Sequence, residues 1–297
     1  MASEKIQLRK VRTFSDALND VLQFLKQEFK PLLRSFFLIC GIFILTVAIL
    51  NGLYTSNIAN IYKHMLTGSG AWGMTPTSIY NGTYFLTIAV TMMTQMIVYA
   101  LVASYMKVYE DKNNISPTVE EVWNVFRQNI LYLLFYGLLF TILIVIGLVF
   151  CIAPGLYLYT VFAPFGYIII MENDKNLGNI FGRCFVLIKE NFWPSLGLYL
   201  LSGFIYSTCA SIVGLVVGGI TGLLSYFTTK DISIVAASVG GILQIFSSAF
   251  SIILYLAIGM QYFSLEEKQN GTGLMERIQN MGRSQDDEDR ATVFIKD

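Results

Sequence analysis

Six long stretches of this sequence contain no aspartate, glutamate, lysine or arginine, and they limit what the chain can fold into. An α-helix rises about 1.5 Å per residue, so about 20 residues cross the roughly 30 Å of hydrocarbon in a bilayer. Six buried helices of this length would be unusual in a soluble protein. The stretches therefore predict six transmembrane helices, at Phe36–Leu53, Tyr84–Met106, Ile130–Cys151, Pro154–Met171, Phe192–Phe227 and Ile232–Phe263.

The composition and the distribution of charge support this class. Hydrophobic residues make up 55% of the chain and charged residues 13%, whereas soluble proteins have about 25% charged residues. Of the 20 lysines and arginines, only Lys63 and Lys230 would lie outside if both termini were cytoplasmic. The positive-inside rule favours this orientation. We expect an all-α, multi-pass membrane protein with cytoplasmic termini.

Three basic residues, Lys26, Arg127 and Lys189, each follow the same apolar pattern. Apolar residues stand one, four, five and eight positions before each of them, which marks one stripe of an α-helix. Polar residues occupy the other faces and a span follows, so we predict three amphipathic helices along the cytoplasmic interface. Pro31 and Pro194 are the predicted elbows at which the first and third of these helices turn into the bilayer. The middle junction has Tyr132 in place of the proline, so we expect there either a gentler elbow or a continuous helix.

Each predicted interfacial helix is followed by two spans. This order predicts an internal threefold repeat with units at about 14–107, 118–171 and 177–263. Chance similarity among amphipathic helices is the alternative. We treat residues 1–263 as a single membrane domain and residues 264–297 as a flexible cytoplasmic tail.

Six basic residues of these helices and their junctions would lie at the level of the cytoplasmic headgroups, where basic side chains attract anionic lipids. Such residues either anchor the helices at the interface or form a collar that binds a partner protein, and the sequence fits both roles. The residues are Lys26, Lys30, Arg34, Arg127, Arg183 and Lys189.

The last two predicted spans are longer than a bilayer requires. Either both helices project beyond the outer face as a hairpin, or they break near their glycines. Gly214, Gly218 and Gly222 recur every four residues, and Gly240 lies on the next span. Small residues at this spacing let helix backbones approach closely in lipid. We expect these glycines to pack spans five and six together, and a self-association face or a substrate crevice is the alternative.

The predicted hydrocarbon zone contains no charged residue, which argues against proton relays and ion binding there. Uncharged polar residues do occur, among them Thr87, Thr91 and Gln95 on span two and Gln244 on span six. We expect them to form hydrogen bonds between helices or to line a weakly polar cavity for a lipid or another amphiphile.

Residues suited to catalysis are scarce. The chain has one histidine and four scattered cysteines without a C-x-x-C pair. We therefore expect no catalytic, cofactor or metal site, and a protein that is not an enzyme.

The segment from Ala153 to Leu196 carries a pattern of short motifs. Pro154 and Gly155 open span four, Glu172 follows that span, and the stretch KENFW leads into span five. This pattern resembles a broad group of bacterial six-span inner-membrane proteins of unassigned function, which is similar to the membrane domain of some glycerophosphodiester phosphodiesterases. The stretch FLKQEFKPLL resembles the opening of a subgroup. The resemblance implies a six-helix fold in the bacterial inner membrane and no reaction.

A phosphodiesterase activity does not follow from this resemblance, because the catalytic barrel of those enzymes needs about 250 residues. The leading hypothesis is a non-enzymatic accessory or scaffold subunit of a bacterial inner-membrane assembly, in protein insertion or envelope biogenesis. Such a subunit would bind membrane lipids and a membrane-protein partner but no nucleic acid. The alternative is a carrier or flippase for a lipid-like amphiphile, which would need a membrane-depth cavity.

Overall fold

The computed structural model describes residues 5–66, 79–229 and 232–271, which form α-helices joined by short connections. Residues 5–13 are not helical and lead into the first helix. The helices are α1 (Phe14–Leu66), α2 (Gly82–Asp111), α3 (Val119–Phe150), α4 (Ile152–Phe162), α5 (Phe165–Met171), α6 (Leu177–Ile188), α7 (Phe192–Thr229) and α8 (Ile232–Asn270).

Six helical segments of the described chain are long and apolar enough to cross a membrane. They are α1, α2, α3, the pair α4 and α5, α7 and α8, whereas α6 is a shorter apolar helix. The prediction of an all-α, multi-pass membrane protein is therefore confirmed.

Capping side chains determine where three of the helices begin. Asn81 accepts a backbone hydrogen bond at the start of α2, and Asn176 does so at the start of α6. Thr118 and Glu121 form a capping box at the start of α3. These side chains satisfy N–H groups that have no partner within the helix.

The structure does not divide α1 at its predicted elbow. α1 is a single helix of 53 residues that includes Pro31. A proline inside a helix removes one backbone hydrogen bond, but Glu28 and Leu32 on either side of it are buried, and this packing holds the helix together. α3 likewise runs through its predicted junction without a break. The elbow predicted at Pro31 is thus wrong, whereas the continuous α3 is one of the two arrangements expected for the middle junction.

The first part of α1 nevertheless crosses the end of the bundle. The Phe14 ring lies beside Gly197 near the start of α7. Phe24 packs edge-on against Tyr109 near the end of α2, with ring centroids 5.0 Å apart. We call this end, which contains residues 5–13, the last turns of α2 and α8 and the first turns of α3 and α7, the N-terminal end. The opposite end is the distal end.

The third junction does have a separate amphipathic helix. α6 ends at Ile188, and α7 begins at Phe192 with Pro194 in its first turn. Proline fits there because the first N–H groups of a helix have no helical partner. α6 buries Ile180 and Cys184 against the bundle. The three predicted repeat units therefore begin differently, and the repeat itself stays a prediction.

The two helices that follow α6 are long and unbroken. α7 has 38 residues and α8 has 39, so each is about 57 Å long and exceeds the roughly 30 Å of bilayer hydrocarbon. α8 packs against α1 and α7 more extensively than any other helices pack against each other. The alternative in which these spans break near their glycines is wrong, because the glycines lie in continuous helix.

The membrane domain extends beyond its predicted boundary at residue 263. α8 continues to Asn270, and Ser264 and Leu265 are buried. The Ser264 hydroxyl accepts the backbone N–H of Arg12 at 2.9 Å, which ties the end of α8 to the segment before α1. Residues 272–297 of the predicted tail lie outside the described residues.

Buried tyrosines hold the irregular middle of the bundle. The Tyr99 hydroxyl accepts the N–H of Gly166 at 3.0 Å and donates to the carbonyl of Ala163 at 2.8 Å, where α4 gives way to α5. The Tyr167 hydroxyl donates to the carbonyl of Tyr255 at 2.7 Å. Backbone groups released by the helix break thus find buried partners, as polar groups in an apolar core require.

Candidate functional site

Residues 5–13 are fastened to the N-terminal end of the bundle by a buried arginine. The Arg12 side chain has no exposed surface, and its Nε donates to Asp20 Oδ2 at 2.7 Å. Its remaining nitrogens donate to the backbone carbonyls of Gln7, Leu8 and Lys10. Burial lowers the pKa of Arg12, and the charge of Asp20 offsets part of this effect. The Arg12 guanidinium therefore holds residues 5–13 in a folded loop and binds this loop to α1.

A second arginine joins three parts of the chain at this end. Arg9 Nε donates to Glu110 on α2, and Arg9 Nη1 lies 3.7 Å from Glu266 Oε1 on α8. Burial acts to lower the pKa of Arg9, but the two carboxylates outweigh it and raise the pKa. The other carboxylate oxygens of Glu110 and Glu266 are buried without a hydrogen-bond partner among the described residues.

Glu28 is the carboxylate that ties α1 to α2 and α3. It is buried, accepts the Tyr105 hydroxyl at 2.6 Å on one oxygen and accepts the Ser116 hydroxyl at 2.9 Å on the other. Two donated hydrogen bonds compensate part of the cost of burying a carboxylate. The first part of α1 is therefore held to the bundle by polar contacts as well as by Phe24.

Arg183, one of the six predicted headgroup residues, is used inside the protein. Its Nε donates to Glu172 Oε1 at 2.9 Å, and its Nη1 donates to Gln269 Oε1 at 3.0 Å. Tyr262 also donates to Glu172, at 3.3 Å. Burial acts to lower the pKa of Arg183, while Glu172 raises it, and the net shift is upward. Arg183 thus fastens α6 to the end of α8.

The other five predicted headgroup residues lie on the outside. They are exposed, and none forms an ion pair with another residue in the described part of the chain. Three exposed aromatic side chains, Phe29, Trp123 and Trp193, stand within a few residues of them. Aromatic residues of this kind are typical of the membrane–water interface. The five are Lys26, Lys30, Arg34, Arg127 and Lys189.

At the N-terminal end, several acidic side chains are therefore buried, whereas the unpaired basic side chains are exposed. Three glutamates there, Glu28, Glu266 and Glu267, are 4%, 9% and 7% exposed. The unpaired lysines and arginines point outward. A chain with a formal net charge of +0 consequently presents a basic exterior at this end, because part of its acidic charge is enclosed.

The glycines predicted to pack helices do so within the chain. Cβ atoms at Gly214, Gly218 and Gly222 would meet Leu243, Val239 and Val235 of α8, respectively. Gly240 faces α1 instead of α7, because a Cβ there would meet Thr55. The glycines of α7 thus lie against α8, and Gly240 lies against α1.

The four polar residues predicted for a cavity do not share one. Thr87 donates to the carbonyl of Thr83 in its own helix at 2.8 Å, and Thr91 is partly buried on the same helix. Gln95 accepts the Tyr255 hydroxyl at 3.0 Å, a bond between α2 and α8. Gln244 lies elsewhere, in a cleft near α1. Hydrogen bonding between helices accounts for Gln95.

Two of the hollows among the described helices are lined in part by α8. A polar cleft of about 410 Å³ lies between α1, α7 and α8, and amide and hydroxyl groups line much of it. An apolar cavity of about 290 Å³ lies between α2, α3, the α4–α5 pair and α8. The polar side chains of the cleft are Asn51, Thr55, Tyr206, Ser207, Ser211, Gln244 and Ser247.

The described residues hold no group of three or more histidine, cysteine, aspartate or glutamate side chains placed to bind a metal ion. The four cysteines are free thiols. No protein-family model, curated protein or solved structure matches this chain. The resemblance of the Ala153–Leu196 segment to bacterial six-span proteins therefore stays a prediction.

Reasoning from the sequence missed the buried charges of Arg12, Glu28 and Glu266 and the partly buried ion pair of Arg9 and Glu110. One signal was present for Glu28, which follows Val21 and Phe24 at helical spacing on the stripe that α1 buries. For Arg9 and Glu110 the sequence carries no such signal, since they pair across 101 positions of the chain. The guanidinium of Arg12 has nearby partners, but its backbone N–H binds Ser264, 252 positions away.

Proposed function

We propose that this chain is a non-enzymatic accessory or scaffold subunit of the bacterial inner membrane, with both termini in the cytoplasm. Its N-terminal end would rest against the anionic headgroups of the cytoplasmic leaflet and present a fixed surface to a larger assembly, one that acts in protein insertion or envelope biogenesis.

The observation that carries this proposal is the sorting of charge at the N-terminal end. Buried glutamates and Arg12 hold the end together, and the five exposed basic residues form no ion pair with another described residue. A basic residue near an anionic leaflet contributes about 1 kcal/mol of attraction. Five such residues at one end would orient the molecule with this end at the anionic leaflet. They would also form a basic surface that a partner can bind.

The membrane-embedded flank of α7 supplies a second surface for the proposal. α7 is packed chiefly on α8, and its outer side exposes large apolar residues such as Ile212, Leu215 and Ile220. Such a flank suits either lipid or the helix of a membrane-protein partner. The proposed assembly would therefore contact the chain through α7 in the bilayer and through the basic exterior outside it.

The test is mild-detergent purification of the full chain at native expression, with mass spectrometry of copurifying proteins and lipids. One variant carries Lys26→Gln, Lys30→Gln and Arg34→Gln. The control carries Lys107→Gln and Lys112→Gln, whose charges are already paired with Asp111 and Glu121.

The proposal predicts a stoichiometric membrane-protein partner and enriched anionic lipid with the wild-type chain and with the control. Both should be reduced with the triple variant. A wild-type chain that purifies with no defined partner would contradict the accessory-subunit role.

A further inference from the structure

The polar cleft and the apolar cavity lie on one face of α8. Gly240, Leu243 and Ser247 line the cleft, and Leu254 and Ile258 line the cavity. Their intervals of three, four and seven residues place them on the same side of a helix. The two hollows therefore follow one another along α8.

Both hollows have tyrosines in their lining. Tyr206 of α7 lines the cleft, and Tyr159 and Tyr255 line the cavity.

The cleft is suited to a polar but uncharged group. Asn51 Nδ2 donates to Gln244 Oε1 at 3.2 Å within its lining. The hydroxyls of Ser211 and Ser247 form no hydrogen bond with another described residue, so they are available to a ligand. No aspartate, glutamate, lysine or arginine lines either hollow. An ionic group would therefore lose water without gaining an opposite charge, which is costly.

The cavity is suited to a hydrocarbon chain. Its lining includes Phe140, Ile144 and Phe162 beside the α8 residues. An engineered apolar cavity of about 150 Å³ is large enough for benzene, so about 290 Å³ holds several methylene groups. From Gln244 to Leu254 α8 rises about 15 Å, which is about half the thickness of the bilayer hydrocarbon. This distance matches a lipid whose head and chain span one leaflet.

We propose that the cleft and the cavity together bind one neutral lipid of the acylglycerol class. Its hydroxyl-bearing head occupies the cleft beside Gln244, Ser211 and Ser247, and one acyl chain occupies the cavity. This site differs in place and in chemistry from the basic exterior of the N-terminal end, which attracts anionic lipids. The neutral-lipid site and the accessory-subunit function can therefore be tested independently of each other.

The experiment uses the full chain in mild detergent with dioleoylglycerol as the probe, and native mass spectrometry to count bound lipid. Thr141 lies on α3 and lines the cavity, so the larger ring in Thr141→Phe should occupy the cavity. Ser247 lies on α8 and lines the cleft, so the ring in Ser247→Phe should occupy the cleft. The matched control is Ile142→Phe, because Ile142 is the neighbour of Thr141 and is 49% exposed on the outside of α3. The two site variants lie on different helices, so one still tests the proposal if the other fails to fold.

The wild-type chain and Ile142→Phe should each retain one dioleoylglycerol molecule. Thr141→Phe and Ser247→Phe should each weaken binding about tenfold or more, since exclusion of two methylene groups already has an effect of about that size. No retention by the wild-type chain, or equal retention by both folded site variants, would overturn the proposal. Phosphatidylglycerol, measured in parallel, reports on the N-terminal end and not on this site.

Discussion

Arg12 shows how a single side chain can close one end of this molecule. Its guanidinium reaches the carbonyls of its own segment and the carboxylate of Asp20, while its backbone N–H reaches Ser264 on the last helix. A charge buried in this way is stabilising only with all its partners in place, because a partner left alone keeps its desolvation cost.

We predict that Arg12→Ala lowers the free energy of unfolding by about 3 kcal/mol, the low end for loss of one partner from a buried ion pair. Lys10→Ala, at an exposed neighbouring position, should have little effect. Thermal unfolding in detergent, followed by intrinsic fluorescence, measures both. Equal stability of the two variants would show that the Arg12 contacts do not hold the end closed.

Tyr99 has a comparable role in the middle of the bundle. Tyr99→Phe keeps the ring but removes the hydroxyl that forms hydrogen bonds with the Gly166 N–H and the Ala163 carbonyl. We predict a loss of about 1 to 3 kcal/mol, because two backbone groups lose a buried partner. Tyr132→Phe is the control, since Tyr132 is exposed and its ring keeps its contact with Lys175. The same unfolding measurement applies, and a Tyr99→Phe protein as stable as the control would be the contrary result.

Among the elements, α8 is the helix on which the others assemble. It packs along α1 and α7 and carries both hollows on one face. It approaches the backbone of α1 closely at Gly52, where a Cβ would lie 2.8 Å from the carbonyl oxygen of Ala237. Contact between backbones at this distance leaves no room for a side chain.

We predict opposite effects for two glycine substitutions on α1. Gly52→Ala should destabilise the protein by about 1 to 3 kcal/mol, because α1 and α8 must move apart. Gly41→Ala should be neutral or stabilising by up to about 1 kcal/mol, since a Cβ there meets nothing within 4 Å and alanine is the better helix former. Thermal unfolding of both variants decides the question. A stability loss at Gly41 equal to that at Gly52 would refute the close approach.

The elements also show which features a sequence can predict. The six spans follow from the absence of charge over about 20 residues, a local property, and the structure has helices at all six. The glycine ladder of α7 is also a local pattern. The continuity of α1 through Pro31 depends instead on how residues on both sides of the proline pack. The burial of Glu28 depends on Tyr105 and Ser116, which lie 77 and 88 positions away in sequence.

At the scale of the whole molecule, the two ends differ in charge. The N-terminal end encloses glutamates and exposes lysines and arginines, and most of the chain's basic residues belong to that end. The account of this protein as an anchored inner-membrane subunit requires this end to face the cytoplasm, because basic residues favour the cytoplasmic side and the cytoplasmic leaflet has a negative surface potential.

The measurement that tests this requirement most directly is labelling with a membrane-impermeant maleimide. Lys10→Cys and Lys63→Cys variants are made in a chain whose four natural cysteines are alanine. Lys63→Cys should be labelled in intact bacterial cells, and Lys10→Cys only after the cells are permeabilised. The reverse pattern would place the basic exterior on the outer side and contradict the account.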